Sequence, residues 1–193
     1  MLKFLLIRPG VTDFDEQGRI KGTLNLPLND HGVAQVVQTI DELVGEKIDA
    51  IYTSPCQCCE QTADLLAKSR EMKAKTLKGL QNLDHGLWHG KRVEEVKQQQ
   101  PRVYRQWQEH PETVCPPEGE PLADVQQRVE TTLAKLIKKH KDGVVALVVP
   151  EPLTSVISSQ LNASTLGDLW QANGRGGSWE ALQLEPGKLA TTP

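Results

Sequence analysis

The chain has 193 residues, with 22 Lys and Arg against 25 Asp and Glu, a net charge of −3 and an isoelectric point near 6.0. It has neither a basic stripe nor an acidic tail, which argues against nucleic acid and anionic membranes as partners. The N-terminal apolar run, residues 4–7, is too short for a signal peptide or a membrane helix. These features predict a soluble, cytoplasmic, single-domain protein spanning residues 1–193.

Strands and helices alternate along the chain. Continuous apolar runs are typical of strands that are buried on both faces of a parallel sheet. Strands are predicted at residues 3–8, 50–54, 74–77, 144–149 and 179–184. The alternation favours a mostly parallel sheet covered by helices on both faces, which is a three-layer α/β/α fold.

Capping residues mark the helices between these strands. Asn29 or Asp30 caps a helix that ends before Gly45, and Ser54 caps a second helix with Pro55 in its first turn. Residues 79–121 form a helical excursion with helical segments at 93–100 and 103–110. A connection of this length is more typical of a lid or cap than of a simple loop. A long helix over residues 122–140 then leads back to the sheet.

Ligands of such sheets bind beyond the carboxyl ends of the strands, where Arg8, Ser54 and Pro150 fall. The four cysteines are too few and too clustered for a disulfide framework, so we expect reduced thiols. Their spacing is not that of a zinc knuckle, and we expect neither a metal nor a cofactor. The cysteines are Cys56, Cys58, Cys59 and Cys115.

Several blocks of the chain resemble the histidine phosphatase superfamily, in its phosphoglycerate mutase-like branch. The opening run resembles the family's R-H-G-E-T and W-N-x-x-G-R patterns, and later blocks resemble Y-S-S-P-L-x-R-A-x-Q-T-A, L-x-E-x-x-x-G-x-W-E-G and G-E-S. The matching segments begin at Arg8, Phe14, Tyr52, Leu80 and Gly119, and residues 146–157 take the place of the strand ending in S-H-G-G. The resemblance covers about residues 3–157 and implies the phosphoglycerate mutase-like fold.

The same resemblance implies that five functional positions are changed. Only Arg8 matches the family's phosphate-handling residues. The phosphorylated histidine falls on Pro9, the pocket asparagine on Asp15, the phosphate-binding arginine on Cys58, the general acid on Asn82 and the second pocket histidine on Glu151. These positions form a degenerate pocket in which we expect no catalytic residue.

Phosphoryl transfer through histidine needs an imidazole nucleophile and an acid for the leaving oxygen. Pro9 cannot attack or titrate, and Asn82 cannot supply a proton. Asp15 and Glu151 add negative charge where phosphate would bind, so we expect Arg8 to pair with one of them. The sequence therefore predicts a catalytically inactive protein with a binding, regulatory or scaffolding role for a protein or small-molecule partner that it does not identify.

Two alternatives remain open at this stage. The first is a phosphomonoesterase or mutase-like enzyme of the same fold that uses non-standard residues, with Cys58, His85, His89 and Glu151 as candidates. Cys58 stands near a helix N-terminus, which can lower the pKa of a thiol, whereas two histidines in a Gly-rich loop are more often only solvated or locally hydrogen-bonded. The second alternative is a thiol or metal-binding protein that uses the cysteines of residues 56–59.

Overall fold

A computed structural model describes residues 1–170 and 176–184. Within this part of the chain, strands and helices alternate as the sequence predicts. The strands are β1 (Leu2–Ile7), β2 (Ala50–Thr53), β3 (Ala74–Thr76), β4 (Gly143–Val148) and β5 (Trp179–Leu184). The α-helices are α1 (Asp13–Glu16), α2 (Asp30–Glu42), α3 (Gln57–Ser69), α4 (Val93–Gln99), α5 (Pro101–Glu109), α6 (Leu122–Lys139) and α7 (Leu153–Asn162).

The five strands form one sheet in the order β3-β2-β4-β1-β5. Strands β1 to β4 are mutually parallel where they pair, and β5 runs antiparallel to β1 at the edge. The carboxyl ends of β2, β4 and β1 are therefore neighbours at one edge of the sheet. This mixed sheet confirms the predicted α/β, mostly parallel architecture.

The alternation of side chains along β1 divides the interior into two cores. Phe4 and Leu6 pack with α6, α7 and the excursion on one face of the sheet. Leu5 and Ile7 pack on the other face, against α3 and the end of α2. Helices on both faces give the three predicted layers. Among the described residues, no helix is both long and apolar enough to cross a membrane.

The start of α2 matches its predicted cap, and the start of α3 does not. The Asn29 side chain accepts a hydrogen bond from the Gly32 amide at 2.8 Å, as an N-cap residue does. Helix α3 begins only at Gln57, with Cys56 at the cap position and no side-chain capping bond. The Ser54 hydroxyl is fully buried and has no hydrogen-bond partner among the described residues, so Ser54 is not the cap that the sequence predicts.

The excursion folds over the carboxyl edge of the sheet. Its helices α4 and α5 match the predicted segments to within two residues at each end. Trp88 and Trp107 are almost completely buried, and their ring centroids lie 5.8 Å apart in an edge-on contact. Trp170, which follows α7, lies 5.8 Å from Trp88 and stacks on Tyr104 at 5.1 Å. Four aromatic rings thus fix the excursion above the site.

Candidate active site

Arg8 lies at the end of β1, where it forms a buried ion pair with Glu151. Its Nε donates to Glu151 Oε1 at 2.6 Å, and its Nη2 donates to Glu180 Oε1 at 3.1 Å. The second oxygen of Glu151 accepts from the hydroxyl and the amide of Ser155, at 2.8 and 3.2 Å. Glu151 is thus one of the two partners expected for Arg8, and β5 supplies a further carboxylate through Glu180.

Asp15 has a local role at the start of α1. Its Oδ2 accepts from the amide and the hydroxyl of Thr12, at 2.7 and 2.8 Å, which closes a capping box. The same oxygen accepts from the ammonium of Lys21 at 2.8 Å. Its negative charge is therefore already balanced by a lysine that the sequence analysis did not single out.

Lys21 places a second cation at this edge of the sheet. Burial alone would lower its pKa, but the neighbouring Cys58 and Asp15 raise it, so the ammonium stays charged. The interaction with Cys58 matters because the resemblance puts the phosphate-binding arginine at that position. Lys21 therefore brings a positive charge that interacts with Cys58 from another part of the chain.

Pro9 and Asn82 contribute backbone and amide contacts. Pro9 is buried, and its carbonyl accepts from the Gly177 amide at 2.9 Å. The Asn82 side chain donates to the carbonyls of Gly22 and Glu151, both at 3.0 Å. Asn82 thus ties the lysine-bearing loop to the turn after β4. Its Oδ1 is buried and, within the described part of the chain, has no hydrogen-bond partner.

His85 and His89 stabilise the loop in which they lie. The His89 Nε2 accepts from the amides of Thr23 and His85, both at 3.2 Å. His85 Nδ1 lies 3.2 Å from the carbonyl of Leu83. Burial is the main cause that lowers the pKa of His85 to about 4, and burial also lowers the pKa of His89. Both rings are therefore neutral at pH 7 and act as local hydrogen-bonding groups.

The thiols of Cys56, Cys58 and Cys59 form one cluster, in which every sulfur lies within 4.8 Å of the others. Hydrogen bonds from Cys58 and Cys59 lower the pKa of Cys56. The contact with Cys56 raises the pKa of Cys58, and burial raises that of Cys59. One thiol therefore ionises easily while the other two keep their protons, and it is Cys56 rather than Cys58 that has the low pKa.

A small cavity lies among these groups. Its volume is about 10 Å³, which is enough for one water molecule. Lys21, His85 and Glu151 supply its polar wall, and Trp107 and Trp170 are among its apolar lining. The three clustered cysteines do not line it; they pack in the opposite core, against β1, β4 and α3.

The structure joins three of the sequence-derived positions by direct contacts: Arg8, Glu151 and Asn82 form one connected group. Asp15 bonds to Lys21, which also interacts electrostatically with Cys58. Asn82 bonds to the carbonyl of Gly22, the residue after Lys21. Sequence reasoning missed Lys21, Ser155 and Glu180. The signal for Glu180 is a carboxylate inside a predicted strand, and the signal for Lys21 is a lysine inside the Gly-flanked block that resembles the family.

Comparison with known families identifies the family of the chain. The Histidine phosphatase superfamily (branch 1) matches residues 4–192. The chain belongs to this superfamily. Phosphoserine phosphatase 1 of Hydrogenobacter thermophilus is 29% identical over 185 residues, which cover 96% of this chain and 88% of that protein. The adenosylcobalamin/alpha-ribazole phosphatase of Escherichia coli is 23% identical over 190 residues, with 98% and 93% coverage.

Several solved structures share the fold. Bacillus stearothermophilus YhfR has a TM-score of 0.84 at 24% identity, covering 98% of this chain and 96% of its own. The mycobacterial glucosyl-3-phosphoglycerate phosphatase Rv2419c, in a complex with VO3, has a TM-score of 0.83 at 24% identity, with 94% and 92% coverage. These similarities confirm the phosphoglycerate mutase-like fold.

The relatives correct one prediction. The sequence analysis predicts a catalytically inactive binding, regulatory or scaffolding protein, and this is wrong, because superfamily relatives that match almost end to end are named as phosphatases. The prediction weighed each changed position by itself and did not consider Lys21, whose ammonium interacts electrostatically with Cys58.

Proposed function

We propose that this protein is a phosphatase that hydrolyses a small phosphomonoester at the carboxyl edge of its sheet without a histidine nucleophile. The observation that carries the proposal is a pair of cations with little exposed surface: the Arg8 side chain, at the end of β1, is 8% exposed, and the Lys21 side chain is 13% exposed. Two fixed cations are what a dianionic phosphate requires, because charge-assisted hydrogen bonds to its oxygens offset the loss of hydration. The names of the relatives support a phosphorylated metabolite as substrate.

The donors of both cations are only partly used. Among the described residues, Arg8 donates from Nε and Nη2 to carboxylates, and the donors on Nη1 have no partner. The Lys21 ammonium has three donors, one of which is directed at Asp15. In our proposal these remaining donors hold the phosphate oxygens, and the substrate enters when side chains at the rim of the small cavity move aside.

Glu151 is our candidate for the general base. Its carboxylate borders the water-sized cavity, and Oε1 keeps a free lone pair beyond its bond to Arg8, whereas Oε2 accepts both the hydroxyl and the amide of Ser155. Glu151 takes a proton from a water molecule, the water oxygen attacks phosphorus and the bond to the ester oxygen breaks. The same carboxyl then returns the proton to the leaving oxygen, so that an alcohol and inorganic phosphate are released.

The other candidates fit this role less well. His85 and His89 have ring nitrogens committed to backbone groups of their own loop. The cysteines lie in the opposite core and do not border the cavity. Their reduced state suits the cytoplasm, where we also propose that the protein works.

The test is hydrolysis of an aryl phosphate and of a panel of phosphorylated metabolites by the purified chain. We expect Glu151→Gln to lower turnover by about 100-fold or more, the usual contribution of a general base. Glu46→Gln is the matched control, because Glu46 pairs with Lys3 at 2.7 Å, away from the cavity. The absence of turnover with every substrate, or equal turnover by Glu151→Gln and the wild type, would overturn the proposal.

A further inference from the structure

The three thiols at the start of α3 form a compact group that the proposed hydrolysis does not use. All three are buried, and their sulfur atoms lie within 4.8 Å of one another. The sulfurs of Cys56 and Cys58 are 3.7 Å apart. The spacing Cys-x-Cys-Cys does not match a zinc knuckle, which is why the sequence analysis expects no metal. Instead, the backbone at the start of α3 brings the three thiols together.

Local backbone geometry explains how adjacent residues converge. Cys56 occupies the cap position with extended dihedral angles, φ −135° and ψ 146°, whereas Cys58 and Cys59 lie in the first helical turn. The chain changes direction between them, so the Cys56 side chain meets the other two at the helix N-terminus. The partial positive charge of that terminus favours thiolates there.

The sulfur spacing matches the coordination geometry of a metal. With metal–sulfur bonds of about 2.3 Å, tetrahedral angles place two sulfurs about 3.8 Å apart, and trigonal angles place them about 4.0 Å apart. The 3.7 Å between Cys56 and Cys58 falls at this distance, and the third sulfur lies within 4.8 Å of both. Only a small adjustment of the Cys59 side chain would close the set.

The buried Ser54 hydroxyl lies beside this group of thiols. Ser54 is two residues before Cys56 and fully buried, and its hydroxyl is near enough to the Cys56 thiol to lower the pKa of that thiol. It makes no hydrogen bond of normal geometry with the described residues. A metal-bound thiolate is a strong acceptor and would use this donor, as outer-shell groups do around metal sites.

The surrounding charge would favour such a site. Three thiolates carry three negative charges, of which a bound cation offsets one or two. The Lys21 ammonium interacts with both Cys58 and Cys59, and the N-terminus of α3 contributes further positive potential. A buried anionic group is stable only with such compensation.

We propose that Cys56, Cys58 and Cys59 bind one thiophilic metal ion, Zn²⁺ or Cu⁺, in a buried three-sulfur site. Thiolate ligands select these ions. Zn²⁺ would offset more of the negative charge of the three thiolates, whereas Cu⁺ needs no ligand beyond the three sulfurs. The site is separate from the cavity at Glu151, so its test does not depend on phosphatase activity.

The experiment uses the full chain, purified without an affinity tag, reduced, stripped with a chelator and kept free of oxygen. Zn²⁺ and Cu⁺ are titrated separately against a chromophoric chelator. We expect one ion per chain, and the ion that binds with the higher affinity is the metal of this site. Each of the variants Cys56→Ser, Cys58→Ser and Cys59→Ser should weaken metal binding by about 100-fold or more, and Ser54→Ala should weaken it by about 10-fold.

The matched control is Cys115→Ser, because Cys115 is exposed on the excursion, where its sulfur lies 3.6 Å from the Pro116 carbonyl. This variant should bind metal as the wild type does. X-ray absorption of the loaded wild type needs no variant and should give three sulfur neighbours. Failure of both ions to bind stoichiometrically, fewer than two sulfur neighbours, or unchanged affinity in all three serine variants would overturn the proposal.

Discussion

The crevice formed by the ion pairs around Arg8 and the loop carrying His85 and His89 border the same cavity. The side chains of the crevice are charged, whereas the histidines of the loop are neutral. In the crevice, cations and carboxylates are paired over 2.6 to 3.1 Å. In the loop, burial lowers the pKa of both histidines, and their nitrogens bond to backbone groups. A titratable residue near this cavity therefore gains its role from the groups that it contacts.

The largest effect is expected from breaking the crevice pair. Arg8→Gln leaves the Glu151 carboxylate buried without its cation, since both side chains are 8% exposed. We expect the free energy of unfolding to fall by about 3–5 kcal/mol, the usual result of removing one partner of a buried pair. Urea denaturation at pH 7 measures this change.

The double variant Arg8→Gln with Glu151→Gln is the control for that measurement. It removes both charges and should recover a large part of the lost stability, because no uncompensated carboxylate remains at position 151. Losses that simply add in the double variant would show that the two residues are not energetically coupled, and the comparison between crevice and loop would then fail.

The loop should respond to pH through His85. Its pKa of about 4 in the folded protein lies below the unfolded value of 6.5, so the unfolded chain binds more protons between these values. The stabilising contribution is complete above about pH 6.5 and is lost as the pH falls to about 4, by about 3 kcal/mol in total.

Urea denaturation of wild type and His85→Asn at several pH values isolates this contribution. The variant lacks the titrating ring, so its stability should fall less steeply between pH 6.5 and pH 4. Parallel curves for the two proteins would mean that the pKa of His85 is the same in the folded and the unfolded protein, and that burial does not keep its ring neutral.

A smaller effect is expected at Lys21, where the change concerns ligand binding. Lys21→Met removes one of two proposed phosphate cations and should weaken inhibition by orthovanadate by about 10- to 100-fold, as expected for a lost charged hydrogen bond. Lys21→Arg keeps the charge and is the matched control. Equal inhibition of Lys21→Met and the wild type would remove Lys21 from the proposed phosphate site.

The smallest effect sets the baseline for charge pairs outside the crevice. Lys3 and Glu46 are 2.7 Å apart, with side chains 23% and 25% exposed. Partial solvation screens their attraction, so Glu46→Gln should change the free energy of unfolding by less than about 1 kcal/mol. A loss comparable to that of Arg8→Gln would mean that burial does not explain the difference between the pairs.

The sheet was predictable because its signals are local. The apolar run at residues 144–149 and the Asn29 cap each specify one element from adjacent residues, and the strands match to within one residue at each end. The start of α3 was not predictable in this way. Ser54 and Pro55 have the composition of a helix start, yet the helix begins at Gln57, where the cysteines pack into the core.

The site was only half predictable for a related reason. The pairing of Arg8 with Glu151 follows from opposite charges at neighbouring strand ends. The electrostatic interaction of Lys21 with Cys58, 37 residues further along the chain, depends on how distant segments pack, and no local pattern encodes it. Reasoning position by position therefore counted the missing arginine and overlooked this lysine.

The antiparallel edge strand β5 has a consequence for how the protein matures. Glu180 and the Ser178 carbonyl, which accepts from the Arg8 amide at 2.9 Å, reach Arg8 only when β5 docks beside β1. Every other strand of the sheet precedes β5 in the chain. During synthesis on the ribosome, the Arg8 guanidinium therefore gains its full set of partners only after β5 has been made and has docked beside β1.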